Sequence, residues 1–128
     1  MTQSISFPGA IGGRIVCRSD PMNGIEVLVD LSGVQVGAVF ILSWQGFRDS
    51  ELTQPVPGTQ ISLARHFVQQ SDIDAGLTRR IGEWLEHIKP IRNGWGKAYY
   101  TINGGNEVIA SIQVQLLNAA GQSCDEVA

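Results

Sequence analysis

Apolar residues recur at every second position over much of the chain, the pattern of strands with one face in a core and the other in water. The run Glu107 to Leu117 is the clearest: Val108, Ala110, Ile112, Val114 and Leu116 share one face, and Ser111, Gln113 and Gln115 share the other. Ile25, Val27, Val29 and Leu31 alternate with Glu26, Leu28 and Asp30, after which Ser32-Gly33 marks a turn. In Val39 to Phe47 the set Phe40, Leu42, Trp44 opposes Val39, Ile41, Ser43, Gln45, so both faces are largely covered. That predicts a central strand, with Trp44 as the core tryptophan of a sandwich. Gln60 to Val68 and Lys97 to Ile102 complete the predicted strands, and Asn103-Gly104-Gly105-Asn106 predicts a hairpin connection, because Asn and Gly tolerate the positive φ such turns need.

One segment departs from the alternation. Leu77, Ile81, Trp84, Leu85 and Ile88 recur at helical spacing, Ser71 and Asp74 have the spacing of a capping box, and Pro90 supplies a stop. Gly76 and Gly82 each weaken a helix by about 1 kcal/mol relative to Ala. The expectation is therefore a short strand near Thr78 to Gly82, then one or two helical turns over 83–89 that cross between sheets. Arg48 to Thr59, with Pro55, Pro57 and Gly58, reads as a long loop.

Composition agrees with many strands and tight turns: 128 residues, 43% hydrophobic, only 16% charged, and fifteen glycines. This length suits one all-β domain, which buries roughly two-thirds of its unfolded surface and needs no metal or disulfide staple to fold; 1–12 are expected to be flexible and 118–128 a tail. The net charge of -3 argues against a nucleic-acid or anionic-membrane binder. The one basic cluster, Arg79, Arg80, Lys89, Arg92 and Lys97, reads as a solvated face. Met1 to Gly13 lacks a basic region followed by an apolar run, and no apolar stretch approaches the ~20 residues of a membrane span. The expected location is cytoplasmic, or outside the cell by export without a cleaved signal. Cys17 and Cys124 lack zinc-ligand spacing; they are either two independent thiols or a bridge, the latter requiring the first and last strands to lie side by side.

The order "GIEVLVDLSGVQVGAVFILSWQGF", "QISLARHFVQQSDIDAG", "EWLEHIKPIRNGWGKAYYTI" and "NEVIASIQVQL" resembles the bacterial immunoglobulin-like domains that occur in tandem in large surface and adhesin-type proteins. The resemblance covers about Gly24 to Leu117 and rests on strand and turn patterns: a Gly-Val-Gln-Val-Gly turn leading into the Trp-containing strand, a DIDAG turn before a crossover, and a YYTI strand paired with the last. It implies an immunoglobulin-like β-sandwich, with Tyr100 buried and its hydroxyl bonded to backbone as in the tyrosine corner of such domains. It also implies a non-enzymatic role in adhesion, assembly or partner recognition. The chain departs from the pattern in a strand-like lead, Gly13 to Arg18.

Catalytic chemistry finds little footing. His66 and His87 lack a flanking nucleophile signature and are expected at the surface, and Glu83 and Glu86 read as a solvated helix face. Asp72 and Asp74 are a candidate calcium pair, since domains of the resembled kind sometimes hold such ions; Asp49 and Glu51 form a second acidic pair. No cofactor is implied. Trp95, between Gly94 and Gly96, is expected where the chain turns, folded over the end of the core or else exposed on a loop as a rigid anchor for a sugar ring or protein partner. A lectin-like alternative uses Trp95, Tyr99, Arg92 and Asn93; a small secreted toxin or effector is a further possibility. Exposed sheet edges make homo-oligomerisation plausible.

Overall fold

The structure, a computed structural model, describes residues 4–126. Two sheets face each other across one core. The smaller has the order β1-β3-β7, from β1 (Ser4–Ser6), β3 (Ile25–Asp30) and β7 (Leu77–Ile81). The larger runs β2-β9-β8-β4-β5, from β2 (Arg14–Ile15), β9 (Val108–Gln115), β8 (Asn93–Ile102), β4 (Val39–Phe47) and β5 (Ile61–Ser62), and β6 (His66–Phe67) also pairs with β4. Pairing is antiparallel except for β2, which runs parallel to β9. No helix among the described residues is long and apolar enough to cross a membrane.

The alternation places the core where it was expected. Val27, Val29, Phe40, Leu42, Trp44, Ala98, Tyr100 and Val114 all point between the sheets and are at most 2% exposed. Trp44 anchors the centre, and its indole N–H donates to the carbonyl of His87 at 3.2 Å. The crossover after β7 is also present, as a π-turn over Trp84–Ile88 and a 3-10 turn over Lys89–Ile91, and it brings Ile88 and Ile91 into the core.

Several expectations change. Gln60 to Val68 is not one strand: Ser62 pairs with Ser43 and His66 with Phe40, so three residues oppose two, and the extra one breaks the ladder into β5 and β6. A short helix, α1 (Gln70–Ala75), precedes β7; its first turn is capped by Asp72, which accepts from the Gln69 N–H at 2.9 Å, rather than through Ser71 and Asp74. The ends are less loose than expected. Ser4–Ser6 pairs with β3, and residues 118–126 fold back on the larger sheet through turns at Asn118 and Ser123. Residues 1–3 and 127–128 lie outside the described residues.

Tyr100 is fully buried as expected, but its hydroxyl has no hydrogen-bond partner among the described residues. Desolvation, with Asp30 nearby, pushes its pKa up to about 12. A buried hydroxyl without a partner is a desolvation cost with no return. Tyr100→Phe is therefore expected to leave stability unchanged or raise it by about 1 kcal/mol, read as a shift in urea midpoint at constant slope. A loss above that size would mean the hydroxyl has a partner.

Cys17 and Cys124 are joined by a disulfide with Cα atoms 5.4 Å apart and 107 residues between them in sequence. The parallel pairing of β2 with β9 makes this possible. Cys17 lies two residues after the end of β2, and Cys124 lies in the turn that follows β9.

Candidate binding face

The outward side of the larger sheet carries half-buried aromatic and exposed amide side chains. β8 begins four residues earlier than the expected strand, so Trp95 is a strand residue and not a loop residue. Its phase is set by its neighbours: Gly94, Gly96, Ala98 and Tyr100 face inward and are buried, leaving Asn93, Trp95, Lys97 and Tyr99 on the outer face. Register then places Trp95 between Gln113 on β9 and Phe47 on β4.

The two outer aromatic residues differ in availability. Tyr99 is occupied: Lys97 Nζ sits 4.5 Å over its ring, and its hydroxyl accepts from Gln60 Nε2 at 3.0 Å. Lys97 also lies 3.7 Å from Glu107. Trp95 has no such cover. It lies in a shallow cleft of about 260 Å³ with Arg48, Asn93, Gly94, Gln113 and Gln115.

The walls of this cleft are held by backbone. Arg48 follows β4, and its N–H donates to the carbonyl of Gln54 at 2.9 Å. The long loop behind it is closed by Thr59, whose buried hydroxyl donates to Val56 O at 2.7 Å and accepts from Gly46 N–H and Gln45 Nε2. Asp49 turns its carboxylate onto the loop's own Thr53 and Gln54 amides, and these bonds, that from the Thr53 hydroxyl first, hold its pKa below the usual carboxylate value. On the other wall Asn93 Oδ1 accepts from Leu117 N–H at 3.2 Å, and Gln115 Oε1 accepts from Arg14 at 2.7 Å.

Of the residues named from sequence as a binding set, the structure therefore brings Asn93 and Trp95 together. Tyr99 lies four residues along the same strand, about 13 Å away at a ~3.3 Å rise per residue. Arg92 adopts a left-handed conformation (φ 59°) before β8 and faces a separate cleft of about 450 Å³ with Leu85, Lys89 and Glu126. That larger cleft has no aromatic ring, and its Lys89 is already paired with Asp125 at 3.0 Å and Glu126 at 3.7 Å. Asp125 is correspondingly held below the usual carboxylate range, first by the Trp84 indole N–H, which lies near it but outside hydrogen-bond geometry, and then by Ser123 and Lys89. Arg48, Gln113 and Gln115 were missed from sequence because their proximity depends on cross-strand register.

The other candidate residues have structural partners. Asp72 Oδ2 bonds His66 Nε2 at 2.8 Å, and Arg79 approaches His66 Nδ1 at 3.5 Å, so the cluster ties β6, α1 and β7 together. Burial opposes ionisation of Asp72, but the bonds from His66 and Gln69 outweigh it and hold its carboxyl below the usual value. Asp74 accepts from Gln70 at 2.9 Å. Asp72 and Asp74 are not joined by a third His, Cys, Asp or Glu into a metal-holding group among the described residues. His87 is buried, not exposed as expected, and its Nδ1 accepts from the Glu83 N–H at 2.8 Å, closing the π-turn.

Comparison with known protein families, curated protein sequences and solved structures finds no match to the chain.

Proposed function

We propose that the chain is a non-enzymatic, immunoglobulin-like binding module that works by adhesion, assembly or partner recognition through the outer face of its larger sheet. The observation that carries this reading is the Trp95 cleft: a half-buried indole on a rigid strand, ringed by amides and a guanidinium. Binding groups placed on strands are held more tightly than groups on loops, so less ordering entropy opposes recognition. Exposed apolar residues extend the same face, with Ile109 opposite Tyr99 at 50% exposure and Phe67 opposite Val39 at 56%.

The immunoglobulin-like part of the reading is supported by strand order. β1 pairs β3 and β3 pairs β7 in one sheet, while β9, β8 and β4 form the other, with the buried Trp44 on the strand that follows β3. In immunoglobulin domains the corresponding arrangement places a core Trp on the third strand of the sandwich. The bridge joins Cys17 to Cys124 instead of linking the two sheets, and Tyr100 lacks the corner bond; both are departures. A non-catalytic role is favoured by the histidines, whose ring nitrogens serve structural bonds. Self-association through edges has weaker support, because the edge strands β1, β2, β5 and β6 have only two or three residues each, which leaves β7, with five, as the longer edge.

Glycan and peptide arrays probed with wild type, Gln113→Glu and Thr78→Arg test the reading. Gln113 is exposed on the proposed face and Thr78 on the smaller sheet. Binding that Gln113→Glu abolishes and Thr78→Arg leaves intact is the expected result. Binding that depends on Thr78 alone, or none on either array, would overturn it.

A further inference from the structure

We propose that the Trp95 cleft takes a carboxylated saccharide, with one sugar ring stacked on the Trp95 indole and its carboxylate on Arg48. This rests on the outer face being the binding surface and adds the chemistry of what it binds.

The cleft is small and mostly polar. At about 260 Å³ it falls below the range of pockets that enclose drug-sized apolar ligands, and five of its six lining residues offer polar side chains or bare backbone. A saccharide ring suits such a surface: one side is a flat array of C–H groups that packs on an aromatic face, and its rim of hydroxyls needs hydrogen-bond partners at several angles. Trp95 supplies the platform, and Asn93, Gln113 and Gln115 flank it.

The sign of charge follows from what is already engaged. The carbonyl oxygen of Asn93 is taken by Leu117 N–H, and that of Gln115 by Arg14. Each amide therefore has its NH2 group left to offer. Arg48 adds a guanidinium, and neither Arg48 nor Arg14 has a carboxylate within ion-pairing distance among the described residues. No Asp or Glu lines the cleft. A chain of net charge -3 thus presents, around the half-buried Trp95, a set of donors without a matching anion. A guanidinium binds a carboxylate through two parallel N–H···O bonds, which a neutral sugar cannot return.

Calorimetric titration with trigalacturonate and sialyllactose, each beside its neutral counterpart (the methyl-esterified trimer and lactose), tests this. At least one acidic ligand is expected to bind at least tenfold more tightly than its neutral counterpart. Arg48→Gln, at an exposed position that leaves the core untouched, should remove that tenfold preference. Trp95→Phe should retain the preference at reduced affinity, whereas Trp95→Ala should lose binding. Equal binding of acidic and neutral partners, no binding of either acid, or an Arg48→Gln variant with wild-type preference would each overturn the proposal. If the acids fail while an array ligand still depends on Gln113, the binding face stands and the ligand class assigned here falls.

Discussion

Gly96→Ala is expected to destabilise the protein by about 3–5 kcal/mol, enough to leave little folded protein if total stability is ordinary. A Cβ at position 96 would lie 2.0 Å from Trp44 Cη2, 2.6 Å from Cζ2 and 2.8 Å from Cζ3. The ring has nowhere to go. Trp44 is fully buried, and its N–H is committed to His87 O, so moving the indole breaks a buried hydrogen bond as well as the packing. Overpacking alone costs about 1–3 kcal/mol and an orphaned buried donor about 1–3 more. Urea unfolding measures the loss, and a double-mutant cycle with Trp44→Leu identifies its cause. In that background the added methyl should cost at least ~1 kcal/mol less, since the clashing ring is gone. Additive losses would place the clash elsewhere.

The same glycines explain why the proposed binding face was harder to read than the core. In β9 and β4 the inward positions hold large apolar residues, so alternation is visible in the sequence itself. At the start of β8 the inward positions are Gly94 and Gly96, chosen because Trp44, Ile91 and the Phe47 carbonyl already fill that space. With no apolar side chain to mark the phase, "NGWGK" looks like a turn, and Trp95 looks like a loop residue. Extending the Ala98/Tyr100 phase backwards by two steps would have placed it. The break between β5 and β6 was not legible for a different reason: it depends on one residue of mismatch with β4, which is a long-range register. Register also hides the cleft, whose walls Arg48 and Gln115 lie 67 positions apart in the chain. Tyr100 was placed correctly, but no local pattern reports whether its hydroxyl finds a partner.

Removing the disulfide, as Cys17→Ala with Cys124→Ala, is expected to lower stability by about 3–5 kcal/mol. In the chain-entropy treatment a bridge closing a loop of ~100 residues restricts the unfolded chain by about 4.7 kcal/mol, and this one spans 107. The loss should appear in chemical unfolding of the double variant, and equally in wild type unfolded under reducing conditions. Thiol titration of the unfolded, unreduced protein should find no free thiols; finding two would sink the bridge. The location of the bridge also ties it to the proposed site. It joins the turn after β2 to the turn after β9, and between them run Arg14 and Gln115, whose 2.7 Å bond holds the Gln115 side chain that lines the Trp95 cleft. β2 has only two residues, too few to hold its place by pairing alone, so the covalent link is what keeps Arg14 against Gln115. Reduction should therefore weaken ligand binding at the cleft under conditions where the core remains folded. Disulfides of this kind persist in oxidising surroundings and are rare where thiols are kept reduced.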